Sequence, residues 1–598
     1  MLVGLNKFPL GKRGERPLRL SIDYATARRL KELVPGIQTT KGGIAFSWDM
    51  VPALSAVFSF DPATLPEDGG TMDVPGLEEY REFFASKLRG YQKEMVQFLG
   101  LRSYAINADP MRSGKTPTTL AAASLIGARK VLIVCPSIAK LVWATEIQKW
   151  MGLPSTLLYG RAGDEARTFC VQCVGSGRVD GKHCPGCKGK NGQSHGTIIH
   201  KPDEIDPVLR GARFIICNYD LLIPQVQKDA AGKRSERDDL PGWASLLARQ
   251  DVDLVIADEA HILRGRSKRD RSGESRRDKL VEVAKSVPRF WALSGTPIYG
   301  RVADLWALLD VVTGGLFGRP FFDFDVRYAG GHKGEYGWVN DGRTNEEELK
   351  SRLDVFMLKR DRSVILPNLP RKTRQVVRLD GGKASFARPK GKRTSGGIHA
   401  ALRATARLKE DAVVESVAAE CGEGAKVVVF SYLRENAESL AKAIAAQGDK
   451  DPRLASRNFR VWCVSGDTPV EARFKQAQAF REWTGAGCFV ATIDSVPVAI
   501  SLKGAQSVHF ADLTFDPASL LQAEDRPYEV GTSGLTIVYY MVEKTVDEHV
   551  VGLVLPKMET LESMVKETAA GDFRAAFGGV SDPDAMAEEI WARMEAAA

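Results

Sequence analysis

No apolar stretch in this 598-residue chain approaches the roughly 18 residues that a membrane-spanning helix needs. The first residues, MLVGLNKFPLGKRGERPLRL, hold no signal-peptide core. Membrane insertion and export are therefore not expected, and a cytoplasmic setting is. Cysteine is scarce, with nine in all. Five of them, Cys135, Cys217, Cys421, Cys463 and Cys488, stand singly in or beside apolar runs. That scatter argues against a disulfide scaffold and suits small buried hydrophobes in a reducing compartment. Extremes of composition are also missing: 44% of residues are hydrophobic and 26% charged, as in ordinary soluble globular proteins. The length suggests about three to four domains at roughly 100–200 residues each. A net charge of +8 leans toward a polyanionic partner.

The remaining four cysteines are grouped as Cys170-x2-Cys173-x10-Cys184-x2-Cys187. Two CxxC knuckles at this spacing place four thiolates around one tetrahedral ion, so a structural zinc is expected in an insertion over 165–195. With four thiolates available, the nearby His183 and His195 are not needed as ligands.

The chemistry gathers around DLVIADEAH, Asp253 to His261. An apolar run too short for a helix and rich in Val and Ile reads as a buried parallel strand. Asp258 and Glu259 follow at its carboxyl end, where open α/β sheets bind ligands. Upstream, Ala105 to Ala108 leads into DPMRSGKT, residues 109–116, and then into a helix-favouring TTLAAASLI. A strand, a turn and then Gly-Lys-Thr opening a helix is a phosphate cradle. The backbone of Ser113, Gly114, Lys115 and Thr116 meets phosphates, the lysine neutralises them, and Thr116 can ligate Mg²⁺. The strict form of this loop has glycine where Asp109 stands. Further strands over Val131 to Cys135, Phe214 to Cys217 and Phe290 to Leu293 complete one α/β lobe. A second follows, with strands over Lys426 to Phe430, Arg460 to Val464, Cys488 to Ile493, Ser507 to Phe510 and Thr536 to Val542. The expected organisation is a small α+β module and linker over 1–75, the first lobe over 76–300, and a helical protrusion with a basic linker over 301–400. The second lobe then covers 401–565 and a helical tail 566–598. The fold class is α/β, with two parallel-sheet lobes.

In this order the motifs resemble those of superfamily 2 helicases, specifically the Swi/Snf-like DNA-translocating ATPases, from about Leu88 to Val565, which implies that both parallel-sheet lobes are RecA-like. Gln92 in LRGYQ resembles the adenine-contacting glutamine, and DPMRSGKT resembles the phosphate loop that the family usually spells DEMGLGKT. VLIVCPS with Trp143, Glu146 and Trp150, then CNYDLL, DEAH and LSGTPI resemble the next motifs, and PNLPRKTRQVV the entry to the second lobe. VVVFSYL, VSGDTPVEAR and FDPASLLQAEDRPYEVG resemble those of the second lobe, with Gln522 and Arg526 in register. The QAEDR wording is similar to that of annealing helicases of the HARP-like branch, which suggests a HARP-like substrate domain for the N-terminal module. The glycine-rich knuckles resemble DnaJ-type zinc domains.

The resemblance implies ATP and Mg²⁺ as cofactors, with Lys115 on the β- and γ-phosphates and Thr116 and Asp258 on the metal. Glu259 orients or deprotonates the water, and Arg526 reaches the γ-phosphate from the second lobe. His261, Ser294, Thr296 and Gln522 couple hydrolysis to motion. It implies duplex or forked DNA, bound without sequence preference, and partners in replication or repair, for a monomer of bacterial or phage type. Arg264 to Lys279, with eight basic and three acidic residues, is a candidate for DNA-backbone contact. Trp243, Trp291 and Trp306 read as packing residues rather than base-stacking platforms. Three departures stand out: Arg112 replaces a family glycine, Glu529 replaces motif VI's second arginine, and SVPVAI (495–500) lacks the usual glycines. They leave a second reading, a zinc-containing nucleic-acid-binding protein with a weak or degenerate ATPase.

Overall fold

The structure, a computed structural model, describes residues 76–158, 211–223, 243–264, 275–381, 395–495, 501–528, 534–565 and 569–577, apart from a few positions within them. It also gives the backbone of short strands within 18–46 and 167–199. The chain divides into two compact units, Met1–Arg360 and Asp361–Ala598. The four grouped cysteines, Glu529 and residues 496–500 lie outside the described residues, so the zinc expectation and two of the three departures fall there. Among the described residues no helix is long and apolar enough to cross a membrane.

At the start of the first unit, β1 (Leu18–Leu20), β2 (Gln38–Thr40) and β3 (Gly43–Phe46) form an antiparallel sheet in the order β1-β3-β2. The rest of the α+β module expected over 1–75 lies outside the described residues.

The body of this unit is a nine-stranded sheet. Helix α1 (Gly90–Gly100) precedes β4 (Tyr104–Asn107), and α2 (Lys115–Leu125) connects it to β5 (Val131–Cys135). Helix α3 (Ala139–Met151), β6 (Ser155–Leu158) and β7 (Arg167–Thr168) follow. A two-stranded ribbon, β8 (Arg178–Val179) with β9 (Lys182–His183), stands apart between the two cysteine pairs. Then come β10 (Gly196–Ile199), β11 (Phe214–Asn218), β12 (Leu254–Asp258), α4 (Arg276–Ala284) and β13 (Arg289–Leu293). After α5 (Leu305–Thr313) and α6 (Phe321–Tyr328) come a hairpin of β14 (His332–Gly334) and β15 (Gly337–Val339), α7 (Glu346–Phe356) and β16 (Met357–Leu358). The sheet order is β16-β4-β13-β12-β5-β11-β6-β10-β7, parallel except for the β10–β7 edge.

The central strands β5 and β11 are buried at every position, as expected of strands covered on both faces by helices. That burial is why Val131 to Cys135 reads as an unbroken apolar run. Cys135 and Cys217 are buried free thiols in these strands, as expected. Trp243 and Trp291 are buried as well, whereas Trp306 is half-buried, with the Arg277 guanidinium 4.3 Å from its ring centre.

The second unit holds six parallel strands in the order β17-β22-β21-β18-β20-β19. They are β17 (Lys372–Leu379), β18 (Lys426–Ser431), β19 (Arg460–Val464), β20 (Gly487–Thr492), β21 (Ser507–Phe510) and β22 (Leu535–Val542). The helices that matter below are α8 (Ser395–Gly422) and α9 (Pro517–Glu524). The second is well started: Asp516 caps it, its carboxylate accepting from the Ala518 N–H at 3.0 Å, and Pro517 occupies its first turn.

The stretch 301–400, read from sequence as protrusion and basic linker, also supplies a strand to each sheet, β16 to the first and β17 to the second. Both are hard to read locally: β16 has two residues, and β17 is a half-exposed edge strand interrupted by charges.

Candidate active site

Three neighbouring strands carry the site. Across the sheet, Asn107 at the end of β4, Leu293 at the end of β13 and Asp258 at the end of β12 stand in register. The phosphate loop leaves β4, DEAH leaves β12 and SGTP leaves β13, so all three motifs emerge at the carboxyl edge.

The loop is held from below by α1. The Ser113 carbonyl accepts from the Gln92 side-chain amide at 3.1 Å and from the Tyr91 hydroxyl at 3.0 Å, while the Gln92 side-chain oxygen accepts from the Arg89 N–H at 3.0 Å. Gln92, expected as an adenine contact, is here bonded to the loop through the Ser113 carbonyl. Gly114 is required here: its φ is 79°, and a Cβ on it would stand 2.3 Å from the Gln92 amide nitrogen. Gly295 lets the SGTP turn come close to the loop: a Cβ there would stand 3.0 Å from the Met111 side chain and 3.4 Å from its backbone nitrogen.

Arg112 has φ 66°. The glycine that the family has at this place suits that left-handed backbone, and an arginine adopts it at a cost of about 1–2 kcal/mol.

The Lys115 ammonium donates to the Asp109 and Pro110 carbonyls, at 3.0 and 3.2 Å. Burial lowers its pKa, opposed by the nearby Glu259, Asp258 and Asp109. Thr116 follows in the first turn of α2, partly exposed.

Asp258 is held on three sides. One carboxylate oxygen accepts from the Trp143 indole N–H at 2.7 Å, the other from the Glu259 N–H at 3.0 Å, and its carbonyl accepts from the Tyr219 hydroxyl at 2.7 Å. Burial, followed by the Glu259 charge, pushes its pKa up to about 6. Such a carboxylate lacks sufficient countercharge, which is what a divalent ion supplies. Glu259 is buried, with φ 49°, and a non-glycine residue in that region is characteristic of functional sites. From Glu259 a polar chain runs outward. His261 Nδ1 lies 3.2 Å from the Glu259 carboxylate and 3.1 Å from Ser294 Oγ, which in turn accepts from the Thr296 N–H at 3.2 Å. All four residues are buried.

The loop has the polar surplus that a phosphate and metal would use. Ser113 Oγ and the Asn107 side-chain amide nitrogen are both buried, and neither has a hydrogen-bond partner among the described residues. With the two acids, the lysine and the backbone at the start of α2, these residues fit a magnesium–nucleotide complex.

The first unit therefore brings together Gln92, Ser113, Gly114, Lys115, Thr116, Asp258, Glu259, His261, Ser294 and Thr296. Gln522 and Arg526 belong to the second unit, where both are buried, Gln522 on α9 and Arg526 just beyond it. Cys170, Cys173, Cys184 and Cys187 lie outside the described residues. Part of the basic stretch after DEAH is committed to ion pairs: Arg276 with Asp220, Arg277 with Asp278 and Asp310, and Lys279 with Glu282. Sequence reasoning missed the Trp143–Asp258 bond. The available signal was an indole on a core-facing helix, whose N–H needs a partner when buried.

Comparison with known proteins places the chain in a family. The SNF2-related domain family matches residues 87–385, and the helicase conserved C-terminal domain family matches 409–531. A Caenorhabditis elegans homolog of the SWI/SNF-related matrix-associated actin-dependent regulator of chromatin subfamily A-like protein 1 is 24% identical over 84% of this chain and 64% of its own. The Xenopus tropicalis protein of that name is 25% identical over 81% of this chain and 46% of its own. The mouse DNA annealing helicase and endonuclease ZRANB3 is 22% identical over 76% and 38%. The chain thus spans between 38% and 64% of the length of these relatives. Among solved structures, a Sulfolobus solfataricus SWI2/SNF2 ATPase core in complex with dsDNA overlaps 84% of this chain and 96% of its own, at 18% identity and a TM-score of 0.35. With an SNF2-related domain covering half its length and a helicase C-terminal domain after it, the chain belongs to the Swi/Snf-like group of superfamily 2 helicases.

Proposed function

We propose that this protein is an ATP-dependent DNA translocase that hydrolyses ATP to move along or remodel duplex or forked DNA in replication, repair or recombination. The observation that carries the reading is the chain Glu259–His261–Ser294–Thr296 beside Asp258 and the phosphate loop. It ties the carboxylate suited to activating water to the third motif, the segment that the family resemblance assigns to coupling.

Lys115 and the backbone of Ser113 to Thr116 would hold the β- and γ-phosphates, and Thr116 and Asp258 the magnesium. The ion supplies positive charge where the phosphoryl group gathers negative charge. Glu259 takes the proton of the attacking water on its carboxylate. His261, whose Nδ1 lies 3.2 Å from the Glu259 carboxylate, holds that group in place. Arg526 is the arginine assigned to the γ-phosphate. DNA affinity would come mainly from Lys and Arg on phosphates, so it falls with salt and is largely independent of sequence. The cysteine insertion would be a zinc-stapled surface element. The names of the annealing-helicase relatives favour forked or partly unpaired DNA as the substrate.

The test is ATP turnover with and without duplex DNA, for the wild type beside Lys115→Ala and Glu259→Gln. Turnover that DNA raises well above both variants is expected. If the wild type only matches them, the reading falls to the degenerate-ATPase alternative.

A further inference from the structure

Two arginines near the unit boundary, Arg360 and Arg362, are two residues apart in sequence, and each is spent on a different motif. Each tie lies wholly within its own unit.

Arg360 stands two residues beyond β16 and grips Asp109, the first residue of DPMRSGKT, with two nitrogens. Its Nε lies 3.1 Å from one carboxylate oxygen, and a terminal nitrogen binds the other. The remaining terminal nitrogen donates to the Tyr91 carbonyl at 2.6 Å and to the Glu94 carboxylate at 2.9 Å. Asp109 is nearly inaccessible, at 3% side-chain exposure, and Arg360 is at 13%. Ala108, just before the loop, donates its N–H to the Leu358 carbonyl at 2.9 Å. Through Asp109 this reaches Lys115, whose ammonium rests on the Asp109 carbonyl. Tyr91 and Gln92, the other supports of the loop, sit on the same helix that Arg360 holds. One guanidinium therefore fixes both the first residue of the loop and the helix beneath it.

Arg362 forms the matching fork with Asp525, the residue before Arg526, one arm of it at 2.7 Å. Lys372 Nζ lies 2.6 Å from Asp525 and 3.0 Å from Glu524. Arg374 binds Glu524 through two nitrogens, at 2.9 and 2.7 Å, and the Tyr539 hydroxyl donates to the same carboxylate. Glu524 is fully buried and Asp525 has 5% side-chain exposure. Three cations thus hold the end of α9 where the chain turns into Arg526.

We propose that Arg360 and Arg362 are positioning residues for ATP hydrolysis, Arg360 setting the phosphate loop through Asp109 and Arg362 setting Arg526 through Asp525. This rests on the ATPase reading above. A planar guanidinium that binds a carboxylate through two parallel bonds fixes orientation as well as distance. Lysine keeps the charge and loses the fork, so Arg→Lys at each position isolates orientation from charge.

The experiment measures kcat and KM for ATP, duplex-DNA affinity and thermal unfolding for the wild type, Arg360→Lys and Arg362→Lys. Arg360→Lys is expected to raise KM for ATP and lower kcat, together by about 10–100-fold in kcat/KM, the scale of a misplaced reacting group. Arg362→Lys is expected to lower kcat by about 10-fold with KM nearly unchanged, since its client acts on the transition state. DNA affinity stays at the wild-type value in both. Folded variants with wild-type kcat and KM would overturn the proposal, reducing both forks to structural ion pairs. If Arg360→Lys does not fold, Asp109→Asn approaches the same fork from the other side, with the same readout. If the wild type itself shows no DNA-stimulated turnover, the ATPase reading fails first. Titration with a fluorescent ATP analogue then decides for Arg360: weaker binding in Arg360→Lys supports the proposal, and equal binding overturns it.

Discussion

Each unit holds a pair of adjacent acids, Asp258–Glu259 in the first and Glu524–Asp525 in the second, all buried but the partly buried Asp258, and the two pairs are treated in opposite ways. Glu524 and Asp525 are surrounded by Arg362, Lys372 and Arg374. Despite burial, these cations hold Glu524 down to about 2 and Asp525 well below the usual carboxylate range. Asp258 has an indole, a backbone N–H and the more distant Lys115, and burial beside Glu259 drives it up to about 6. A compensated pair is architecture, whereas an undercompensated one suits a ligand that brings positive charge. The difference separates a brace from a candidate reaction site without recourse to motif names.

Substitutions can break this contrast, and the largest difference should come from removing one negative charge from each pair. Glu259→Gln should cost about 10²–10⁴-fold in turnover while leaving unfolding free energy at or above the wild-type value. Glu524→Gln should cost about 3–5 kcal/mol in the unfolding of the second unit, because Arg374 and Lys372 lose a buried partner. Urea denaturation beside steady-state turnover checks both; similar stability losses in the two variants would erase the distinction.

A smaller effect of opposite sign is expected at Asp258. Its pKa is raised on folding, from 3.8 to about 6, so the nucleotide-free fold is penalised above about pH 6 and relieved as pH falls toward 3.8. Asp258→Asn should therefore abolish turnover yet stabilise the nucleotide-free protein at pH 7 by on the order of 1–3 kcal/mol. That advantage should shrink in melts taken between pH 6 and 4. Glu524 behaves in reverse: its stabilisation is complete above about 4.5 and is lost as pH falls toward about 2. Acid unfolding of the second unit belongs in that lower window.

The smallest expected effect is at Arg112. Replacing it with glycine should stabilise the first unit by about 0.5–1 kcal/mol, because glycine accepts the backbone angle that arginine strains to adopt. A melt that moves down would show that the arginine's contacts outweigh its strain.

Much of the scaffold was legible because buried parallel strands are written as continuous apolar runs. Val131–Cys135, Arg460–Val464 and Ser507–Phe510 have the limits that their residues suggest. Ser155–Leu158 escaped because two of its four residues are hydroxylated and it lacks a long run. Lys372–Leu379 escaped as a strand because its charges answer Glu524 and Asp525, acids some 150 positions away that no local window contains. The same limit governs the site. Lys115, Asp258 and Glu259 could be read because each stands at a fixed offset from a strand end. The supports, Trp143 to Asp258 and Arg360 to Asp109, depend on the registers of separate elements, which only folding brings together.

Glu259 adopts a left-handed backbone where glycine or asparagine would sit at ease. A designer who ranked residues at this position by backbone comfort would choose one of those, and the redesigned protein would be sturdier. It would also have lost the carboxylate on which the whole polar chain to Thr296 begins. For anyone engineering this scaffold, position 259 marks where a stability score and a rate assay give opposite advice.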